Sequence, residues 1–196
     1  MLDPADPLSI WACTLAQSFN DVVYSNVQIE DARKEWERFY RWRIAVGHYS
    51  EACLHLERTR NDPEVRDFLD DHNAVEILHR RALERYDGLR ALANRVRNET
   101  VFHYPYAAGQ RALTSALGDL AQDHGEMGTY GSKRIRDMRL EFADDVLARM
   151  VLNASGGSDE AYARAFSGLA EGVAAFAQFA NSALEAYFRD RGVQRA

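Results

Sequence analysis

Apolar residues that recur every three or four positions over long stretches constrain the fold of this chain more than any other feature. The clearest stretch is followed by Pro105 and has the apolar positions Val75, Leu78, Ala82, Tyr86, Leu89, Ala93 and Val96. This spacing matches the 3.6-residue turn of an α-helix with one buried face, whereas a half-buried strand would alternate every second residue. The pattern predicts a long helix from about Asn73 to Phe102, which Pro105 ends.

The same reading predicts helices along most of the chain. Gly125, Gly128 and Gly131 mark 124–139 as an irregular loop or small hairpin. In the break after Asn153, Gly156 suits a helix C-cap and Ser158 an N-cap. The expected elements, in chain order, are a modest helix after Pro7 that weakens near Asn20, a long helix over 27–60, a short one over 64–69, the long helix over 73–102, and helices over 107–123, 142–152 and 159–189.

The sequence shows no convincing strand and no internal repeat. A chain of 196 residues suits one domain or at most two small ones. We therefore predict an all-α fold, a single helical bundle of five to six helices over 1–196, with two long antiparallel helices as its spine and residues 1–7 flexible.

Charge and composition limit the classes of function. The net charge of −6 favours solubility and gives no overall attraction to nucleic acid or membrane, so RNA binding would need a local basic patch. The N-terminus lacks the pattern of a signal peptide, and no apolar run is long enough to span a membrane, which predicts a cytoplasmic protein. Cys13 and Cys53 are expected to be small buried residues. The sequence offers no cofactor motif and no metal site.

The segment Leu92 to Pro105, LANRVRNETVFHYP, carries the groups best suited to chemistry. His103 can exchange a proton near neutral pH, as cleavage of RNA without a metal requires. Arg97 offers a rigid fork of donors for a phosphate, and Asn98 can orient either group. The sequence thus indicates a phosphate-handling site near the end of the second long helix.

An arginine, a polar residue and a histidine at this spacing resemble the motif of the HEPN-domain ribonucleases. The neighbouring Phe102 and Tyr104 complete an "RN…FHY" pattern that is similar to the form found in many HEPN-like proteins, and the two long helices are similar too. The resemblance implies a homodimer in which the motifs of both protomers meet in a cleft. It also implies RNA as substrate, a toxin or defence role, and an antitoxin or another protein as partner.

Further polar residues could support this site. Glu99 lies four residues before His103 and can orient its imidazole. On the first long helix, polar or small residues spaced by four share a face, and there Glu51 could hold Arg97; the alternative is a strip facing solvent or a structural ion pair. These residues are Arg43, Gly47, Glu51 and His55.

A dense basic run is the other candidate surface. Lys133, Arg134, Arg136 and Arg139 could contact phosphates. The alternative is a solvated loop whose charge is balanced by nearby acidic residues.

Spacing alone does not single out Arg97 and His103. Arg41 and Arg43 precede His48, and Arg66 precedes His72, at comparable distances.

On an unbroken helix, six residues turn the chain by about 600°, so Arg97 and His103 would point about 120° apart. Either the helix bends near Thr100 or the site combines groups from two chains, as in a dimer.

The leading hypothesis is a metal-independent endoribonuclease that leaves a 2′,3′-cyclic phosphate. The alternative is a non-catalytic helical interaction module. It would be an inactive HEPN-like protein, or a subunit that docks another protein through the alanine-rich last helix.

Overall fold

The structure, a computed structural model, describes residues 3–98, 114–119 and 141–192. Within these ranges the chain is helical apart from short connections, and none of it forms a strand, which confirms the predicted all-α class. The helices are α1 (Pro7–Glu30), α2 (Glu35–Thr59), α3 (Pro63–Asp71), α4 (Asn73–Val96), α5 (Glu141–Ser155) and α6 (Asp159–Asp190), and 114–119 is a further helical stretch. The loop predicted at 124–139 lies outside the described residues.

Four long helices form a ring around one core. Helix α1 packs against α2, α2 against α4, α4 against α6, and α6 against α1, while α3 and α5 cover the flanks of α4. The interior is rich in aromatic side chains, of which the largest fully buried ones are Tyr49, Tyr86, Tyr187, Phe176 and Phe179. This is a helical bundle whose apolar stripes face one another.

The first connection differs from the prediction. Helix α1 continues to Glu30 instead of weakening near Asn20, and α2 begins at Glu35 rather than near Val27. The Arg41 guanidinium donates a hydrogen bond to the backbone carbonyl of Gln28, near the end of α1, where helix carbonyls lack partners of their own. The break between the helices has no proline or glycine to mark it, and this contact bridges it.

The other breaks follow their local signals. Pro63 opens α3, and the Asp62 carboxylate accepts a hydrogen bond from the Glu64 N–H. After α5, Gly156 adopts a φ of 116°, and Ser158 Oγ accepts from the Ala161 N–H at 3.2 Å, as the sequence predicts for these two caps.

Small residues let α6 approach its neighbours closely. A Cβ at Gly172 would collide with the hydroxyl of Tyr49 on α2, and one at Gly168 would lie 3.1 Å from Leu89 Cδ2 on α4.

Of the two cysteines, Cys53 is buried as expected, whereas Cys13 is exposed on the outer face of α1. No helix in the described ranges combines the length and hydropathy that a membrane crossing requires.

Candidate functional site

Three polar connections join α2 to α4, and we call them the α2–α4 seam. They are the pair Glu57–Arg90, the group Ser50–Tyr86–Asn94, and the pair Glu51–Arg97. Residue numbers rise along α4 from Arg90 to Arg97 as they fall along α2 from Glu57 to Glu51, so the two helices run antiparallel, as predicted for the spine of the bundle.

The middle of the seam is a hydrogen-bonded group in which Ser50 and Tyr86 are buried and Asn94 is partly buried. Ser50 Oγ lies 3.2 Å from Tyr86 Oη. Asn94 Oδ1 accepts from Ser50 Oγ at 3.3 Å and from Tyr86 Oη at 3.2 Å. Burial raises the pKa of the Tyr86 phenol, which therefore stays a neutral donor. Because each hydroxyl has a defined partner, the group fixes the register of α2 against α4.

Arg97 lies one turn beyond Asn94, where α4 ends in a wider turn through Arg97 and Asn98. Its Nε donates to Glu51 Oε1, and its Nη2 contacts the same oxygen. Its Nη1 donates to Asn98 Oδ1 at 2.9 Å. The contact between Glu51 and Arg97 that the sequence suggested is thus present, and Asn98 holds the same guanidinium from a second side.

The solvent exposure of Arg97 and Glu51 determines what the pair can bind. The Arg97 side chain is 20% exposed and that of Glu51 is 42% exposed. A guanidinium carries five N–H donors, and among the described residues Glu51 and Asn98 engage Nε, Nη2 and one donor of Nη1. The arrangement therefore presents a fixed, partly exposed arginine fork of the kind that binds a phosphate oxygen.

Two of the other residues in the predicted polar line on α2 are buried. Arg43 is only 4% exposed, and its guanidinium packs 5.9 Å from the ring of Phe39 and 5.7 Å from that of Tyr40. Gly47 is buried as well. His55 is partly buried, and burial lowers the pKa of its imidazole. The interpretation of this line as a strip facing solvent is therefore wrong for Arg43 and Gly47.

Several predicted site residues lie outside the described residues, so their roles and the angle between Arg97 and His103 stay predictions. They are Glu99, His103 and Tyr104 in the motif, and Lys133, Arg134, Arg136 and Arg139 in the basic run.

The competing arginine–histidine pairs have contacts that belong to the fold. His72 Nε2 lies 2.8 Å from Asp190 Oδ2 at the end of α6, while Arg66 pairs with its neighbour Asp67. His48 Nδ1 lies 3.9 Å from Asp21 Oδ2 on α1. The two histidine contacts tie helices together, whereas the contact of Arg66 lies within α3.

Sequence reasoning missed Ser50 and Asn94 and assigned Tyr86 to the buried stripe without a role for its hydroxyl. The available signal was the position of Asn94 four residues before Asn98 and of Ser50 next to Glu51. Pairing across helices depends on the helix register, which spacing within one helix does not reveal.

Metal ligands and known relatives add no further constraint. Across 3–98, 114–119 and 141–192, no cluster of three or more His, Cys, Asp or Glu side chains is placed to hold a metal ion. In comparisons with known proteins, no family model matches the chain, and no curated protein or solved structure matches it either.

Proposed function

We propose that this chain is an HEPN-like, metal-independent endoribonuclease of toxin or defence type that works in the cytoplasm as a homodimer. The observation that carries the proposal is the fixed and partly exposed position of Arg97, which Glu51 and Asn98 hold at the end of α4. The resemblance of the segment from Arg97 to Tyr104 to the HEPN motif supplies the substrate class, which is RNA.

The chemistry assigns one task to each side chain. His103 accepts the proton of a ribose 2′-hydroxyl or donates one to the departing 5′-oxygen. The 2′-oxygen attacks the adjacent phosphorus and the bond from phosphorus to the 5′-oxygen breaks, which leaves a 2′,3′-cyclic phosphate and a 5′-hydroxyl. Arg97 stabilises the charge that builds up on the phosphate oxygens, and Asn98 positions the substrate. The second protomer brings its own motif to the cleft.

RNA cleavage by the purified protein in EDTA tests this proposal. We expect the wild type to cleave, His103→Ala to lose cleavage, and His72→Ala to retain it, because His72 contacts Asp190 at the far end of the bundle. Circular dichroism establishes that each variant is folded. Cleavage that is unchanged in His103→Ala, or absent in the wild type over a broad RNA panel, would overturn the mechanism.

A second candidate is a non-catalytic interaction module, either an inactive HEPN-like protein or a subunit that docks a protein partner such as an antitoxin. The observation that favours it is the same ion pair, since Glu51 already balances the charge of Arg97. Sedimentation separates the two forms of this candidate. A dimer without cleavage indicates an inactive relative, and a monomer without cleavage indicates a binding role with another protein.

A further inference from the structure

Helix α1 is almost free of charge in a chain that is 28% charged. Asp21 is the only charged residue between Asp6 and Glu30. Soluble domains are about one quarter charged, and a surface helix usually places its charged residues on the face away from the core. The outer face of α1 therefore differs from an ordinary surface that faces solvent.

Exposed residues on this outer face recur at alternating steps of three and four. Ile10, Tyr24 and Val27 are 54%, 66% and 46% exposed, although their side chains are large and mainly apolar. The spacing is that of a heptad seam, along which two helices pack against each other. We call the following residues the α1 stripe: Ile10, Cys13, Gln17, Asn20, Tyr24 and Val27.

The α1 stripe is complementary to itself. Its two amides, Gln17 and Asn20, lie at its centre, and apolar or small residues lie toward both ends. A second α1 that runs antiparallel, with a twofold axis between 17 and 20, brings amide against amide and apolar against apolar side chains. The pairs are Ile10 with Val27, Cys13 with Tyr24, and Gln17 with Asn20 of the partner subunit.

We propose that the α1 stripe is the contact between two copies of this chain, which pair through antiparallel α1 helices. Each Gln17 exchanges amide hydrogen bonds with Asn20 of the partner subunit, and no charge at the centre has to leave water. Helix α1 has 24 residues and is about 36 Å long. A contact about 10 Å wide buries on the order of 400 Å² per protomer, the size of a weak and reversible dimer.

This pairing suits the proposed homodimer, on which it rests, but it does not depend on the ribonuclease chemistry. His48 of α2 contacts Asp21 of α1, and the two helices run antiparallel. Glu51, three residues beyond His48, therefore lies near the level of the axis. A twofold axis between antiparallel helices crosses them at right angles, so both α2 helices lie on one side of the dimer. The two Glu51–Arg97 pairs lie on that side too, as a cleft shared by both protomers requires.

Disulfide trapping tests the contact. In Tyr24→Cys the new cysteine lies opposite Cys13 of the partner subunit, whereas within one chain the two positions are eleven residues, or about 16 Å, apart. We expect air oxidation with copper phenanthroline to link this variant into dimers on non-reducing gels, and we expect the added substitution Cys13→Ser to abolish the link. The wild type should not be linked, because an antiparallel pair holds its two Cys13 side chains too far apart for a disulfide.

Ile77→Cys is the matched control for the trapping. Ile77 is a 47% exposed apolar residue on α4, outside the α1 stripe, and its variant should form no more linked dimer than the wild type. The proposal is overturned if Tyr24→Cys gives no linked dimer or if Ile77→Cys is linked equally well. Linking of the wild type would overturn the antiparallel pairing, since only parallel helices bring the two Cys13 side chains together.

Sedimentation equilibrium measures the contact without a covalent link. Asn20→Lys places two like charges beside the axis, and we expect the dimer to dissociate at a roughly tenfold higher concentration. Gln17→Glu, added to Asn20→Lys, puts a carboxylate opposite each lysine and should restore the wild-type dissociation constant. Both positions are exposed, so neither change should disturb folding. An unchanged constant in Asn20→Lys, or no restoration in the double variant, would contradict the pairing.

The outcomes also separate this contact from the ribonuclease proposal. A trapped dimer that does not cleave RNA supports the contact and overturns only the nuclease. RNA cleavage by a chain that gives no trapped dimer overturns the contact alone.

Discussion

Helix α4 packs against α6 and against α2 in two different ways. Toward α6 the contact is mostly apolar and close, with Leu89 near Gly168 and the ring of His79 near Phe179. At the exposed edge of the contact between α4 and α6, Arg85 Nη1 lies 2.9 Å from Glu171 Oε2 and forms an ion pair with it. Toward α2 the buried rings of Tyr49 and Tyr86 pack with their centroids 5.9 Å apart, and the contact also contains a row of polar connections that ends at Arg97.

The two contacts of α4 contribute differently to stability and to the alignment of the helices. Close apolar packing supplies most of the stability of a bundle but leaves its register only loosely specified. Buried hydrogen bonds contribute less net stability, yet each one is costly to leave unmade, so they select a single alignment. The α2–α4 seam therefore positions Arg97, whereas close apolar packing of the kind seen between α4 and α6 mainly contributes stability.

The largest loss of stability is expected from a substitution in α6 at the point where this helix lies closest to its neighbours. Gly172→Ala forces a Cβ against the hydroxyl of Tyr49, whose side chain is fully buried. We expect a loss of about 2–3 kcal/mol in the free energy of unfolding, the size of an overpacked core. Urea denaturation measures it.

Gly88→Ala is the control for that change. Gly88 is exposed on α4, and an added Cβ there would meet nothing within 4 Å. The substitution should stabilise the protein by about 0.5–1 kcal/mol through helix propensity. Equal effects of the two alanines would show that close packing of α6 is not what stabilises the bundle.

A smaller effect is expected in the middle of the seam. Tyr86→Phe keeps the buried ring but removes the hydroxyl that contacts Ser50 and Asn94. We expect a loss of about 1–2 kcal/mol, because Asn94 Oδ1 loses a donor in a partly buried site. Tyr24→Phe, on a side chain that is 66% exposed, should change stability very little. A Tyr86→Phe variant as stable as the wild type would contradict the role given to the seam.

The ion pair between Arg90 and Glu57, at the other end of the seam, should contribute less to stability than the hydroxyl of Tyr86. Arg90 Nη1 donates to Glu57 Oε2 at 2.8 Å, with 39% of the arginine and 22% of the glutamate side chain exposed. Glu57→Gln should cost at most about 1 kcal/mol, and less at high salt. Thermal melts at low and high salt measure this. A loss as large as that of Gly172→Ala would show that this partly exposed ion pair matters as much to stability as the close packing of α6.

The smallest effect concerns Asp6, which joins α1 to α6 outside both contacts. A hydrogen bond from Ser9, and further ones that include Arg191, lower the pKa of Asp6 below its usual 3.8. Its contribution to stability is therefore present above pH 3.8 and is lost as the pH falls through the lower folded-state value. Asp6→Asn retains the helix cap. Its stability difference from the wild type should shrink as the pH falls below about 4 in a series of urea titrations. A difference that does not change with pH would contradict this linkage.

Local signals predicted the helices well but did not predict how they meet. Gly156 and Ser158 mark the break before α6 because caps depend on neighbouring residues. The break near Asp31 went unpredicted because no proline or glycine marks it, and the contact that bridges it joins Arg41 and Gln28 of different helices.

The candidate site shows the same limit. Spacing along α2 suggested that Glu51 could reach Arg97, and the two side chains do meet. It could not reveal that Asn94 lies opposite Ser50, since that depends on the antiparallel register. Burial of Arg43 also required the tertiary fold, because an arginine at a polar position of a helix is normally expected at the surface.

The most direct test of the central claim compares two arginines of the same seam. Arg97→Ala and Arg90→Ala each remove a guanidinium that pairs with a glutamate of α2, and only Arg97 belongs to the proposed site. Initial rates of RNA cleavage in EDTA, with folding verified by circular dichroism, should fall by roughly 10²–10³-fold in Arg97→Ala, as for the loss of a transition-state donor, and should stay near the wild-type rate in Arg90→Ala. Equal rates in the two variants would contradict the claim that the α2–α4 seam positions Arg97 for catalysis.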